Sequence, residues 1–184
     1  IGNDWVCSID PSDSTIGLIV YKTADFGNTW YQIPSPQISS VDSLLQNNGS
    51  IYSVGPQLDL AIDQQGTLHV GVPVIPFKPG NFVDSFFVTS EWGLFDFSYS
   101  SINNNWSTCF IGSTDTYFGA YGVMAGPINP YVTEDNRLQL SRSWNGDKLF
   151  FTWFDTDTLI FGSASGNIFS DMHSKGVDVV TGLW

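Results

Sequence analysis

The sequence predicts an all-β protein, and three observations lead to that prediction. Apolar and polar residues alternate with period two on both sides of glycine-centred turns. A tryptophan that follows a polar turn recurs at nearly equal spacing, and no segment has the apolar period of an amphipathic helix. The chain has 184 residues, of which 42% are hydrophobic and 15% aromatic, so it can bury a sizeable core.

Each predicted strand is a run of apolar or alternating residues bounded by turn residues. The clearest turn is Asn145-Gly146, a residue pair that is typical of tight hairpins. Gly66 lies in a second turn of this kind. In chain order, we expect strands at residues 4–9, 17–22, 30–33, 58–62, 68–74, 82–88, 93–101, 106–111, 138–143, 148–154 and 172–180.

The stretch from Thr23 to Trp30 has the residues that a tight hairpin turn requires. Gly27 can adopt a positive φ that other residues resist. The carboxylate of Asp25 can accept hydrogen bonds from N–H groups further round the turn. Trp30 begins the return strand, so we expect its ring to be buried beneath the turn.

Three tryptophans mark a repeat. Trp30, Trp106 and Trp184 each follow a polar turn after a strand, with separations of 76 (106 minus 30) and 78 (184 minus 106). Between them lie hairpins centred on Gly66 and Gly146, which are 80 residues apart. Each unit is an inner hairpin, a variable loop and an outer hairpin closed by tryptophan. This is the four-stranded order of a β-propeller blade, and we expect each tryptophan to be buried against its blade.

The units number about two and a half. We assign residues 1–36 to a partial blade, 37–134 to a second blade with long loops, and 135–184 to a third blade that is incomplete at its C-terminal end. Closed propellers have roughly four to eight blades. We therefore expect a partial β-propeller that is an excerpt of a longer polypeptide. A self-contained β-sandwich with a similar number of strands is the alternative.

One motif resembles a known family. Thr23, Asp25, Gly27, Thr29 and Trp30 together resemble the Asp-box of the sialidase-type (BNR) β-propellers. The resemblance implies the propeller fold. It also implies a structural role for these residues, because the boxes of that family brace outer hairpins away from the active centre.

The same resemblance suggests glycoside hydrolysis as an activity, but we do not expect this activity from the chain. Members of that family hold a substrate carboxylate with three arginines, beside a tyrosine nucleophile with a glutamate partner and an aspartic acid. This chain has two arginines, Arg137 and Arg142, and lacks the Arg-Ile-Pro signature of the family. We therefore transfer no catalytic residue and expect that the chain is not an enzyme.

Charge and composition exclude several classes of partner. Six cationic residues against eighteen carboxylates give a formal net charge of −12. Nucleic acids and anionic membrane surfaces attract clustered lysine and arginine, so neither is expected as a partner. No apolar run approaches the length of a membrane span, so we expect no membrane insertion.

Candidate metal ligands are sparse, and we expect no cofactor. Asp155 and Asp157 lie two residues apart and suit calcium, although polar turn residues explain them better. His69 and His173 each lack a second histidine nearby, which argues against zinc. The two cysteines, Cys7 and Cys109, are far apart in sequence; we expect buried free thiols rather than a disulfide.

Short sequence motifs indicate the location of the protein relative to the cell. Ser14, Ser43 and Thr158 each follow an aspartate and resemble the Asp-Ser/Thr-apolar O-glycosylation motif of Bacteroidota. This resemblance implies a secreted or cell-surface glycoprotein, of the kind exported by type IX secretion. Asn48 and Asn105 begin N-glycosylation sequons if the source is eukaryotic.

Together these patterns predict a non-catalytic, extracellular β-propeller module that acts as a scaffold or binding surface. It would be a secreted cargo or accessory subunit of a bacterial secretion or cell-surface assembly. The alternative is a fragment of a sialidase-like glycoside hydrolase whose catalytic residues lie outside this segment. We expect a protein partner or larger assembly, with carbohydrate as a second candidate because aromatic residues lie in or near loops. These aromatic residues are Tyr99, Tyr117, Phe118, Tyr121 and Tyr131.

Overall fold

A computed structural model describes residues 4–10, 17–41, 51–55, 57–79, 86–88, 92–114, 137–155 and 171–184. Within these ranges the chain forms β-strands and one short 3₁₀ turn, Ile38–Val41. The strands are β1 (Asp4–Asp10), β2 (Gly17–Thr23), β3 (Tyr31–Ile33), β4 (Ile51–Val54), β5 (Asp59–Ile62), β6 (Leu68–Pro79), β7 (Phe86–Val88), β8 (Trp92–Ser100), β9 (Asn105–Thr114), β10 (Gln139–Arg142), β11 (Lys148–Asp155) and β12 (Asp171–Asp178). The prediction of an all-β protein is confirmed.

The strands form three antiparallel sheets, and none of them closes on itself. The first sheet has the order β1-β2-β3, and the third has the order β10-β11-β12. The second sheet contains the path β5-β6-β8-β9, in which each strand pairs with the next one in the path. Strand β4 pairs with β6 on the same edge as β5, and β7 pairs with β6 on the same edge as β8.

The second sheet lies between the other two, with an apolar cluster on each of its faces. Alternate residues point to opposite faces of a strand, so Leu68, Val70 and Val72 of β6 lie on one face. They pack in one core cluster with Leu18 and Val20 of the first sheet. The other face contributes to a second cluster with the third sheet. That cluster contains Leu94, Ile111, Leu138, Leu140, Leu149, Phe151, Trp153 and Val177.

A glycine permits the close approach of the second and third sheets. A Cβ atom on Gly71 of β6 would clash with the side chain of Leu140 on β10. Beside it, the backbone N–H of Leu140 donates to Asp59 Oδ2 of β5 across 2.8 Å. Arg142 Nη1 donates to the carbonyl oxygen of Ile62 across 2.8 Å. The edge strands β5 and β10 are therefore joined by polar contacts that flank the apolar cluster.

Several predicted boundaries differ from the structure. Strand β12 ends at Asp178, two residues before the predicted end, because Val179 begins a turn that leads to Leu183. Strand β4 falls in a stretch where no strand was predicted; there its backbone pairs with the long strand β6. Tyr31, rather than Trp30, begins β3. The error at β4 arises because pairing with a distant strand, rather than local residue preference, decides its conformation.

Candidate functional site

Five turns lie together at one end of the three sheets. They comprise residues 24–30, 63–67, 101–104, 143–147 and 179–183, and we call this region the turn end. Antiparallel pairing places them there: Leu68, which follows one turn, is paired with Tyr99, which precedes another. Lys148 and Asp178 are paired in the same way in the third sheet.

Hydrogen bonds join the turns across sheet boundaries. Lys22 Nζ, beside the first turn, donates to Ser101 Oγ across 2.9 Å. The backbone N–H of Gln64 donates to the carbonyl of Gly146 across 3.0 Å. The backbone N–H of Val179 donates to the carbonyl of Asp147 across 2.9 Å. The turn end is therefore a connected surface built from all three sheets.

The structure brings all five predicted Asp-box residues into one hydrogen-bonded network, since Trp30 Nε1–H donates to the carbonyl of Gly27. Asp25 Oδ1 accepts from the N–H of Thr29 across 2.8 Å and from Thr23 Oγ1 across 2.7 Å. Asp25 Oδ2 accepts from Thr29 Oγ1 across 2.7 Å, and Thr23 Oγ1 accepts from the N–H of Gly27. The hydrogen bonds from Thr29, followed by that from Thr23, lower the pKa of Asp25 to about 2. The carboxylate therefore braces the turn and is held in its charged form.

The three repeat tryptophans occupy unlike positions. Trp30 is 42% exposed and donates its Nε1–H to the carbonyl of Gly27 across 3.1 Å. Trp106 is half-buried against the core and donates to the carbonyl of Pro34 across 2.6 Å. Trp184 is 44% exposed, with one side against Phe151 and Lys175 Nζ 4.9 Å from its ring. The expectation of burial is therefore wrong for Trp30 and Trp184, because no described element covers their outer faces.

Sequence reasoning missed that an aspartate braces each of two further turns. Asp63 Oδ1 accepts from the N–H groups of Gln65 and Thr67, each across 2.8 Å. Asp178 Oδ1 accepts from the N–H groups of Val180 and Thr181, and the backbone hydrogen bond of Thr181 is the main cause that lowers the pKa of Asp178 to about 2. A signal was present in both turns, since each aspartate is followed within four residues by a threonine and a glycine.

Large apolar side chains protrude from four turns of the turn end. Phe26 is 71% exposed, Ile102 82%, Leu183 70%, and Trp144 is fully exposed at 101%. Phe26 also has a positive φ of 59°. That conformation costs a bulky residue roughly 1–2 kcal/mol. Neither core packing nor turn geometry accounts for apolar residues at these four positions.

A buried polar cluster lies on the face of the second sheet that meets the third sheet. His69 Nδ1 is 2.7 Å from Asp96 Oδ2, and His69 Nε2 is 3.5 Å from Asp63 Oδ2. All three residues are buried. Burial lowers the pKa of His69, but the hydrogen bond and charge of Asp96 and the charge of Asp63 outweigh it and raise the pKa overall. The mid-strand position of His69 was visible in sequence, but its two carboxylate partners were not.

Other predicted residues take no part in a common site. Ser14, Ser43, Thr158 and Asp157 lie outside the described residues. Asp155 is buried at the end of β11, and the described part of the chain holds no group of ligands suited to a metal ion. Cys7 and Cys109 are not joined in a disulfide, as predicted, but both are only half-buried rather than buried. Among the described residues there is no helix long and apolar enough to cross a membrane.

Comparisons with known proteins give no relative. No protein-family model, no curated protein and no solved structure matches this chain.

Proposed function

We propose that this chain is a non-catalytic binding scaffold, and that its turn end docks a protein partner. One observation carries this proposal: four turns drawn from three different sheets each present a large exposed apolar side chain. Their turns lie together at one end of the sheets, and exposed apolar side chains grouped on one surface are typical of interaction sites. Asp25 and Asp178 brace the turns that carry Phe26 and Leu183, which holds these two side chains in place before binding and reduces the entropy lost on association.

The chemistry of the protruding residues favours protein over carbohydrate. Sugars stack on flat aromatic rings, which only Phe26 and Trp144 supply. Ile102 and Leu183 are aliphatic and suit the apolar anchors of a protein interface. Trp144 is the central candidate, since tryptophan is enriched among the residues that dominate binding energy.

The scaffold that we propose is part of a β-propeller. The path β5-β6-β8-β9 has the four-stranded order of a blade, and β10-β11-β12 begins the same order. The flanking sheets pack face to face on the second sheet, as successive blades do. The inference of an extracellular or cell-surface location rests on the low proportion of charged residues and on the glycosylation-like motifs of the sequence.

The docking proposal is tested by comparing surface variants as bait. Phe26→Ser, Ile102→Ser and Trp144→Ser remove three protruding side chains, and each is immobilised beside the wild type. Met172→Ser is the matched control, because Met172 is exposed on β12 towards the opposite end of the sheets. Proteins retained from the extracellular medium of the source are identified by mass spectrometry, and melting temperatures verify that every bait is folded.

We expect a protein that the wild type and Met172→Ser retain, and that Trp144→Ser retains at least about tenfold less, a loss of roughly 1.4 kcal/mol. Equal retention by all baits, or retention of nothing, would overturn the proposal. A glycan array probed with the same variants tests carbohydrate as the alternative ligand. Trp144-dependent binding of a glycan, without a protein, would replace the protein partner with carbohydrate.

A further inference from the structure

His69 is placed between two carboxylates in a buried position. Asp96 Oδ2 is 2.7 Å from Nδ1, and Asp63 Oδ2 is 3.5 Å from Nε2. A carboxylate is only an acceptor when ionised, so each ring nitrogen meets its partner favourably only if it carries a proton. A neutral imidazole has one N–H, which would leave the other nitrogen lone pair facing an oxygen. The geometry therefore fits an imidazolium.

The two carboxylates belong to different parts of the fold. Asp63 braces the 63–67 turn through the N–H groups of Gln65 and Thr67. Asp96 lies in β8, where it is paired with Gly71 of β6. Its second oxygen, Oδ1, is buried without a hydrogen-bond partner among the described residues. His69 thus joins the turn to the centre of the second sheet.

Charged and titratable side chains on the strands around His69 make contacts of their own. Arg142 of β10 and Lys175 of β12 donate to the backbone carbonyls of Ile62 and Ile111. Asp59 of β5 accepts from the N–H of Leu140. Cys109 of β9 is paired with Asp96, and burial, followed by the charge of Asp96, raises the pKa of its thiol above 9.0. Cys109 therefore loses its proton at a more alkaline pH than an ordinary thiol.

We propose that His69 is a proton-dependent staple, which orders the 63–67 turn while it is an imidazolium and loosens that turn when the proton leaves. The turn contacts Gly146 through Gln64 N–H. Loosening is therefore transmitted to the 143–147 turn, which carries Trp144. The staple is independent of any partner, so its test needs none.

The direction of the pH effect follows from the raised pKa of His69. Below the unfolded value of 6.5 the histidine is charged in both states, and the stabilising contribution is fully present. As the pH rises through the higher pKa of the folded state, the contribution is lost. Burial raises the pKa of Asp96, against the opposing hydrogen bond and charge of His69, which favour the carboxylate. Stability should therefore fall as the pH rises above 6.5.

Nuclear magnetic resonance of the full 184-residue chain tests the staple without any substitution at the site. The sequence has two histidines, and His173→Gln assigns the signals of His69 by elimination. We expect both ring nitrogens of His69 to be protonated at pH 6, with a titration midpoint above 6.5. Hydrogen exchange of the Gln64 and Thr67 amides, corrected for intrinsic base catalysis, should accelerate above that midpoint. A midpoint at or below 6.5 overturns the proposal, whatever the variants show.

Thermal melts between pH 6 and pH 9 give a second measurement. Wild type and His173→Gln should lose melting temperature as the pH rises, whereas His69→Gln, which does not titrate, should show a flat profile. Asp63→Asn should move the His69 midpoint towards lower pH, because one of the two carboxylates has lost its charge. If His69→Gln keeps the slope of the wild type, another group is responsible and the staple is wrong.

Discussion

The backbone N–H of Gln64 donates to the carbonyl oxygen of Gly146 across 3.0 Å, and a Cβ on Gly146 would lie 2.8 Å from the same nitrogen. This contact joins two turns whose positions in the sequence are about eighty residues apart (146 minus 64). Gly146 also has a positive φ of 75°. Two separate constraints therefore require glycine at this position.

Gly146→Ala should destabilise the protein by about 2–5 kcal/mol, because it combines backbone strain with overpacking against Gln64. Gly66→Ala is the matched control: Gly66 has a φ of 81° but nothing within 4 Å of the added Cβ. That variant should lose only about 1–2 kcal/mol from strain. Urea unfolding measures both. Equal losses would mean that the contact between the two turns is absent in solution.

Asp25→Ala should lower the melting temperature, because the amide of Thr29 and the hydroxyls of Thr23 and Thr29 lose their shared partner. Asp4→Ala removes an exposed aspartate outside the turns and serves as the control. Differential scanning calorimetry at pH 7 compares the two. A normal melting temperature in Asp25→Ala, together with lost partner binding, would show that Asp25 contacts the partner instead.

Acid should weaken the turns that Asp25 and Asp178 brace. Both carboxyls have a pKa of about 2 in the folded protein, below the ordinary value of 3.8. Their contribution is present above 3.8 and is lost as the pH falls from there towards 2. Melting curves at pH 5, 3 and 2 measure this loss. The Asp25→Ala variant should show a shallower decline than the wild type, and an identical decline would contradict the role of Asp25.

Gly71→Ala should cost about 1–3 kcal/mol, because the new methyl group would clash with Leu140 across the interface between the second and third sheets. Leu140→Ala alone should cost about 2–5 kcal/mol through the cavity that it leaves. The double variant should lose clearly less than the two single losses together, since each change relieves the other. Strict additivity in urea unfolding would indicate that the two sheets do not pack as described.

The isolated chain should not cleave sialosides. Two arginines are too few for the three-arginine clamp of the family that the Thr23–Trp30 stretch resembles, and Arg142 donates to the backbone of Ile62. A fluorogenic sialoside incubated with the purified chain should release fluorophore no faster than buffer does. Turnover that survives repurification would reverse this expectation.

The sequence by itself predicted most of the strands and the turns between them, because these depend on local chemistry. Alternation at 68–74 identifies a two-faced strand, and Gly27, Gly66 and Gly146 mark turns at which each has a positive φ. The acceptor role of Asp25 was predictable for the same reason: its partners lie within four residues. Short-range hydrogen bonds and backbone conformation can be read from neighbouring residues.

Tertiary structure alone decided the features that the proposals use. Asp96 lies 27 residues from His69, and only the register of β6 and β8 places both on one buried face. The exposure of Trp30 and Trp184 could not be derived from their repeat positions, since burial depends on whether another element covers the ring. Likewise, alternation shows that a strand has two faces but not what packs on each. Long-range packing therefore decided which polar groups became buried partners and which apolar groups remained in solvent.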